Sequence, residues 1–240
     1  DSNQLTDLSS IANLTKLIGL VLSHNQISDI SPLSTLTKLT GLNLFHNQIS
    51  GISPLANLTT LTSLELFHNQ LTDLSPLTNL TNLTYLNLNN NQISNISPLA
   101  NLTNLTSLEL NNNQASDISS LASLTNLTVL QIENNQLSDV SPLANLTNLT
   151  HLGLYNNQIS DVSPLVESTG ISGKINLQRN PLSNTALSTH IPALEARGIT
   201  VEYDMPEGVV LFKDANLEKA IRDALEIPTE LLKKEELEKL

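Results

Sequence analysis

The chain has 240 residues, a formal net charge of −12, no cysteine, and aromatic residues at only 2% of positions. The lack of cysteine excludes disulfides and cysteine-ligated zinc sites, and 11 basic residues against 23 acidic ones argue against nucleic acids and anionic membranes as partners. No apolar run reaches the roughly 18 residues of a membrane span, and the first residues lack the basic and apolar regions of a signal peptide, so we expect neither membrane insertion nor a signal peptide in this chain.

A 22-residue period runs along most of the chain. Within one period, the alternation of Leu86 and Leu88 predicts a short strand with one buried face. Because the alternation recurs every 22 residues, we expect parallel strands about 4.8 Å apart. Apolar positions keep a constant phase relative to a recurring asparagine, which is found at Asn3, Asn25, Asn47, Asn69, Asn91, Asn113, Asn135, Asn157 and, after one step of 23, Asn180.

A Ser-Pro pair follows the predicted strands, as Ser97 and Pro98 follow Leu88, and the proline column is interrupted only at Ser120. Proline fixes its own φ and lacks an N–H, so it suits the first turn of a short 3₁₀ helix. Strands pack more closely than such turns, which predicts a stack that curves with its sheet on the inside. We expect the repeated asparagine to satisfy backbone groups of the turn that leaves each strand.

The full pattern, L-x-x-L-x-L-x-x-N-x-I-x-x-I-x-x-L, is that of a leucine-rich repeat. Its 22-residue length and the segment Ile93-Ser-Asn-Ile-Ser-Pro-Leu99 resemble the internalin type over roughly residues 3 to 182. The predicted fold class is α/β: a curved leucine-rich repeat solenoid with a parallel β-sheet on the concave face, 3₁₀ or irregular turns on the convex face, and a helical C-terminal segment. We expect residues 1–182 to form an array of about eight units.

The repeat pattern stops near residue 182, and we expect residues 183–206 to form a capping segment. Residues 183–197 are predicted to form one or two short helices, followed by a strand at 199–203. Residues 207–240 form a third, charge-rich segment, in which Asp214 is predicted to cap one amphipathic helix and Thr229 a second that runs through Leu240. This segment resembles the helical cap that precedes internalin-type arrays.

The two ends of the chain do not match a single capped array. The chain begins in the second half of a unit, and the cap-like segment comes last. We therefore expect the chain to derive from a longer multi-array protein or from a permuted one. Residues 209–240 carry an apolar helical face and the first unit has an open edge, which predicts head-to-tail self-association of copies.

The candidate binding residues are the non-leucine positions of the strands, which face outward on the concave side. Exposed aromatic residues clustered there are typical anchors of a protein-recognition surface, although Phe45 and Phe67 could instead cover each other as a cross-strand pair. Glutamates on the same face favour a basic partner. The predicted partner-binding residues are Phe45, Phe67, Tyr85 and Tyr155; His24, His46, His68 and His151; and Glu65, Glu109 and Glu133.

Metal sites and catalytic sites have weaker support. The column of His24, His46 and His68 could chelate a transition metal, but side chains on adjacent parallel strands point side by side and no carboxylate completes a tetrahedron. A column of aspartates invites calcium, yet capping of turn N–H groups is a sufficient role for it. The sequence has no nucleophile-elbow, zinc-protease or phosphate-loop motif. We expect no enzymatic activity, no metal and no cofactor.

Together these observations favour a protein-recognition or adhesion module that binds a protein partner on the concave face. Two alternatives stay open. One is a structural spacer or stalk of a surface protein, and the other is binding of ice or a polysaccharide through Asn and Thr ladders such as Thr62, Thr84 and Thr106. The resemblance to internalins, which are bacterial adhesion proteins, implies a cell-surface or secreted location.

Overall fold

The computed structural model of the protein describes residues 4–210, 212, 214–227 and 232–240. Within these residues the chain forms one parallel sheet in which each strand pairs with the next along the chain. Because the strands pack closely and the opposite side carries bulkier turns, the sheet lines the concave face of a solenoid. The strands are β1 (Gly19–Val21), β2 (Gly41–Asn43), β3 (Ser63–Glu65), β4 (Tyr85–Asn87), β5 (Ser107–Glu109), β6 (Val129–Gln131), β7 (His151–Gly153), β8 (Lys174–Asn176) and β9 (Thr200–Glu202).

The register of the sheet advances by one repeat at each strand. Leu86 pairs with Leu64 on one side and with Leu108 on the other. The period therefore places equivalent residues side by side, as predicted. The step first lengthens between β7 and β8, where Gly153 pairs with Asn176.

The convex side is built from short 3₁₀ helices, which confirms the prediction from the Ser-Pro pairs. The turn at Ser119–Ser123 lacks proline and is also a 3₁₀ helix, and the hydroxyl of Ser120 donates to the carbonyl oxygen of Ile96 in the preceding unit, 3.1 Å away. The eighth turn is a short α-helix, α1 (Ser163–Glu167). The 3₁₀ helices are Ser9–Ile11, Ser31–Thr35, Ser53–Leu55, Ser75–Leu77, Ser97–Asn101, Ser119–Ser123 and Ser141–Asn145.

Leucine and isoleucine fill the space between sheet and turns. Leu86, Leu88 and Ile93 of one unit are fully buried, and a continuous core extends from Leu8 to Val201. Complete burial of such a side chain contributes about 1.5 to 3 kcal/mol, so the repeated aliphatic columns dominate the stability of the array.

The recurring asparagine joins each unit to the one before it. The Oδ1 of Asn91 accepts from the backbone N–H of Leu71 at 3.0 Å, while its Nδ2 donates to the carbonyl oxygens of Leu88 at 3.0 Å and of Leu66 at 3.1 Å. Asparagine was predicted to satisfy the turn of its own unit, and this is confirmed. The structure adds that the same side chain satisfies backbone groups of the preceding unit.

Two short helical turns precede the last strand, where the sequence predicts helices and a strand. They are a π-helical turn at Ala186–His190 and α2 (Ile191–Ala196). Arg197 follows α2, and its guanidinium donates to three carbonyl oxygens, those of Val166, Ser168 and Ile171. This arginine ties the end of α2 to the loop that leaves α1.

The C-terminal segment contains α3 (Ala215–Leu225) and the short α4 (Lys234–Leu237). Asp214 caps α3 as predicted, accepting from the backbone N–H groups of Asn216 and Leu217. The second helix is shorter than predicted and begins after Lys233; Thr229, its predicted cap, lies outside the described residues. α3 packs on α4, and among the described elements neither contacts a strand or helix of the array. Nor does any helix in the described ranges have the length and apolarity to cross a membrane.

Candidate functional site

The concave face is formed by the outward residues of the strands and by the residues just after each strand. In β3, Leu64 points into the core and is fully buried, whereas Ser63 and Glu65 are partly exposed on the concave side. Phe67 follows two residues later on the same side. All eleven predicted site residues lie on this face; ten of them form three separate groups, and Glu65 belongs to none of the three.

The first group is a set of stacked rings from three successive units, His24, Phe45, His46, Phe67 and His68, named here the aromatic–imidazole patch. The phenyl rings stack with centroids 4.2 Å apart, and the imidazoles stack at 4.7 Å and 4.2 Å. The first imidazole also contacts the first phenyl ring edge-on, at 4.6 Å. The two phenylalanine rings stack as a cross-strand pair, and each ring is still partly exposed on the concave face, so the pairing does not remove them from the surface.

A backbone requirement explains why histidine occupies this column. His24, His46 and His68 have φ of 53° to 54°, in the left-handed region, as do Asn90 and Asn112 at the equivalent positions. Asparagine and histidine adopt this conformation more readily than most residues. The choice between His and Asn therefore leaves the turn intact and changes only what the surface presents. This constraint was not among the sequence predictions, although the restriction of one column to His and Asn from His24 to Asn156 was its signal.

The stacking bears on the proposed metal site. Parallel rings place the imidazole nitrogens side by side, and no group of three or more potential ligands that could hold a metal occurs in the described part of the chain. Burial lowers the pKa of His46, and the neighbouring imidazoles His68 and His24 lower it further. The middle histidine of the patch is therefore biased toward its neutral form.

The aspartate column caps the 3₁₀ turns, as the simpler interpretation predicts. The Oδ1 of Asp29 accepts from the backbone N–H of Ser31 at 2.8 Å, and its Oδ2 accepts from the hydroxyl of the same serine at 3.0 Å. These hydrogen bonds lower the pKa of Asp29. Equivalent bonds recur at Asp73 and Asp161.

The second group surrounds Glu109 in the middle of the face. Its carboxylate accepts from the hydroxyl of Tyr85 at 3.1 Å, from Nδ2 of Asn87 at 2.9 Å and from Nδ2 of Asn89 at 2.8 Å. Burial is the main cause of the raised pKa of Tyr85. Two predicted partner-binding residues, Tyr85 and Glu109, are therefore already hydrogen-bonded to each other.

Glu65 and Glu133 differ from Glu109 because neither carboxylate accepts a hydrogen bond from the described residues. Both side chains are half-buried. Burial raises the pKa of Glu65, with a smaller contribution from the charge of Glu109. Burial also raises the pKa of Glu133, against the opposing effect of Lys174.

The third group lies at the C-terminal end of the face. His151 is exposed, and its Nδ1 lies 3.0 Å from the hydroxyl of Thr150. Tyr155 lies beneath the guanidinium of Arg179, 5.2 Å from its ring centroid, in a cation–π contact. Glu133, His151 and Lys174 line one cavity between the strands.

The threonine ladder has an internal role. The hydroxyls of Thr62, Thr84 and Thr106 each donate to the carbonyl oxygen of the threonine one unit earlier, at 3.0 Å. Their donors are therefore used within the solenoid. This weakens the argument for ice or polysaccharide binding through that ladder.

Comparison with known proteins identifies the repeat family. A family model that describes two copies of a leucine-rich repeat matches residues 15–57, 37–79, 59–101, 81–123 and 125–167. The structure is similar to an internalin (inlF) of Listeria monocytogenes, at 36% identity and a TM-score of 0.73 over 84% of this chain and 67% of that one. It is also similar to internalin C2 (inlC2) of the same species, at 47% identity and a TM-score of 0.69 over 71% and 75% of the two chains.

A plant peptide hormone receptor, RGFR1, solved in complex with RGF2, is more distant: 26% identity and a TM-score of 0.64 over 73% of this chain and 30% of that one. Among curated protein sequences the search found no match. Leucine-rich repeat proteins of this kind are protein-interaction modules and are generally not enzymes. The repeat matches cover more than half of the residues and the internalin similarity extends over most of the fold, so the chain belongs to the internalin-type leucine-rich repeat proteins.

Proposed function

We propose that the chain binds a protein partner through its concave face, with the aromatic–imidazole patch as the main anchor. The patch itself carries the proposal: five rings from three units form one continuous surface. Most other positions of the face are polar. Rigid rings supply contact area at a small cost in side-chain entropy, and they are enriched at the centre of protein interfaces.

We propose further that the partner presents a basic surface. The chain carries a net charge of −12, and Glu65 and Glu133 leave two carboxylates on the concave face without hydrogen bonds from the described residues. Opposite charge on a partner would accelerate encounter and fix its orientation on the face.

The relatives support a polypeptide partner and a location outside the cell. The plant protein, solved in complex with RGF2, is a peptide hormone receptor, so a solenoid of similar fold serves in the recognition of polypeptides. The similarity to Listeria internalins supports an adhesion role at the bacterial cell surface or in a secreted protein. Both statements are proposals for this chain.

The test is a Phe67→Ala variant. Immobilised wild-type chain is used to capture a protein from a surface-protein extract, and the purified partner is then titrated against wild type and variant. We expect binding to weaken by about 1 to 3 kcal/mol because the phenyl ring leaves the centre of the contact. Folding should change little, since the ring lies outside the aliphatic core.

Ser53→Ala is the matched control. Ser53 follows Phe45 in the same unit, is exposed on the convex side, and its hydroxyl makes no hydrogen bond within the described residues. We expect the control to bind as wild type does. Equal affinity of the Phe67→Ala variant would contradict the proposal and favour the alternative that the array is a spacer or stalk.

We also propose that the chain is organised as an array at 1–182, a capping segment at 183–206 and a helical segment at 207–240 that mediates head-to-tail self-association. Support comes from the exposed Leu14, Ile18 and Val21 at the first strand and from the exposed Leu217 on α3. Sedimentation should show concentration-dependent association of the full chain that is lost in a version ending at Pro206. Association that survives the truncation would disprove the role of the helices.

A further inference from the structure

A second candidate binding site lies on the concave face where β6, β7 and β8 meet, well separated from the aromatic–imidazole patch. It is a cavity of about 180 Å³, named here the Gly153 pocket. Its walls come from three adjacent units, so no single repeat contains the site. The lining residues are Gln131, Glu133, His151, Leu152, Gly153, Lys174 and Asn176.

The missing side chain of Gly153 creates the pocket. A Cβ atom at this position would lie 2.8 Å from Oε1 of Gln131 and 2.8 Å from Oε1 of Glu133. The amide oxygen and the carboxylate oxygen therefore converge on one point above the glycine. Both atoms are hydrogen-bond acceptors, so neither can satisfy the other. This geometry suits a group that donates several hydrogen bonds.

The charges of the pocket select the sign of that group. Lys174 forms an ion pair with Glu202 at 2.8 Å, and the charges of both residues act on Glu133, so two carboxylates stand against one ammonium group here. Among the described residues no ion pair reaches Glu133, and its carboxylate accepts no hydrogen bond. Glu109, by contrast, accepts from three donors. The net charge available to a ligand in the pocket is therefore negative.

We propose that the Gly153 pocket binds the guanidinium group of an arginine side chain on the protein partner. A guanidinium is planar and presents five N–H donors in a fixed fork, so it can donate to the oxygens of Gln131 and Glu133 together. The proposal rests on the proposed function, because the arginine belongs to the same concave-face partner. It adds a second anchor, which fixes the orientation of a partner held at the aromatic–imidazole patch.

The test uses N-acetyl-arginine amide as the probe, titrated into the full chain and followed by amide chemical shifts in NMR. We expect saturable shifts at His151, Gly153 and Lys174. A Glu133→Gln variant should bind about tenfold more weakly, because a charge-assisted hydrogen bond is lost. Glu167→Gln removes the same charge from an exposed position on α1 and should bind as wild type does.

A second variant, Gly153→Val, keeps every charge but fills the pocket, and it should abolish the shifts. The glycine has no left-handed φ, so valine is compatible with its place in β7. A neutral probe of the same shape, N-acetyl-citrulline amide, should bind at least about tenfold more weakly than the arginine probe.

Three results would overturn the assignment: no shifts at the pocket, equal binding of the citrulline probe, or unchanged binding in the Glu133→Gln variant. Binding of N-acetyl-glutamate amide at the same residues would also overturn it, because the site would then be an anion site built on Lys174. No partner is needed for these measurements. Arginine binding together with a partner insensitive to Phe67→Ala would therefore disprove the proposed anchor and leave the pocket standing.

Discussion

Alternate residues of each strand point either to the inner face of the sheet, toward the aliphatic core, or to its outer face, which is the concave surface. The residue types found on these two faces differ. On the inner face, the position of Leu86 is occupied by buried leucine in β2 to β7. On the outer face, the position of Gly153 is occupied by valine, asparagine, glutamate or glutamine in other units. Stability is thus supplied once per repeat by the inner face, and the outer face is free to acquire different chemistry in each unit.

The residues with positive φ, one just after each strand, form a column of their own between the inner-face and outer-face positions. Its backbone conformation is fixed in every unit from His24 to Arg179, but its side chains reach the concave face. Histidine and asparagine both tolerate this conformation, so a change between them alters the surface at little cost in stability. The aromatic–imidazole patch therefore occupies positions where architecture limits residue choice without determining it.

The largest expected effect comes from the buried asparagine. In an Asn113→Ala variant, the N–H of Ile93 loses its acceptor, and the carbonyl oxygens of Leu88 and Leu110 each lose one of two donors, the other being a neighbouring asparagine. The unsatisfied buried N–H costs about 1 to 3 kcal/mol and each of the two other lost hydrogen bonds about 1 kcal/mol, so we expect a loss of about 4 kcal/mol in the free energy of unfolding, measured by urea denaturation.

Asn126→Ala is the control for that experiment. Asn126 is exposed and donates a single hydrogen bond, to the carbonyl oxygen of Thr103. We expect a loss of no more than about 1 kcal/mol. Similar losses in the two variants would mean that the buried ladder is not what joins the units.

Glycine substitutions give the next effect in size. A Cβ at Gly170 would overlap the backbone oxygen and Cβ of Thr147, whereas nothing lies within 4 Å of a Cβ at Gly41 on the concave face. Gly170→Ala should cost about 3 kcal/mol through overpacking, and Gly41→Ala should change stability by less than about 0.5 kcal/mol. Thermal unfolding of both variants checks this, and equal melting temperatures would contradict it.

Sequence periodicity was sufficient to predict the strands, the 3₁₀ turns and the roles of the recurring asparagine and aspartate, because each follows from contacts that repeat identically. The network around Glu109 and the pocket at Gly153 could not be predicted. Both depend on side chains that meet only across particular units, such as Tyr85 with Glu109 and Gln131 with Glu133. A residue that differs from its equivalents in the other units indicates a candidate functional position, but it does not indicate which neighbouring side chain it will contact.

Ala115 occupies a core position at which the other units carry isoleucine or leucine, such as Ile93 and Leu137. Its substitution tests whether the smaller side chain leaves the core incompletely packed. Its backbone N–H and carbonyl oxygen make 2.9 Å hydrogen bonds, as at Ile93 in the previous unit within 0.1 Å. The hydrogen bonds that join the units are therefore not lengthened at Ala115. We expect Ala115→Ile to stabilise the chain by about 1 kcal/mol, and a thermal melt without a gain would mean that neighbouring side chains already fill the space.

The smallest expected effect is a pH dependence of stability that has opposite signs on the convex and the concave side of the solenoid. Hydrogen bonds from the backbone and the hydroxyl of Ser75 lower the pKa of Asp73 below its ordinary value of 3.8. Its contribution to stability is therefore present above that value and is lost as the pH falls through the folded-state pKa. Asn95 occupies the equivalent position and still accepts from the N–H of Ser97 at 2.9 Å, so Asp73→Asn should keep the backbone cap while removing the titration.

We expect Asp73→Asn to lose a little stability at neutral pH and none in acid below the folded-state pKa of Asp73, where the wild-type carboxyl is also neutral. On the concave face the sign is opposite, because burial raises the pKa of Glu133 and the charged form opposes folding. Glu133→Gln should therefore be neutral or slightly stabilising at neutral pH, and this difference should also vanish in acid. Urea midpoints at the two pH values measure both variants. A loss in the Asp73→Asn variant that persists in acid would show that its cause is packing rather than charge.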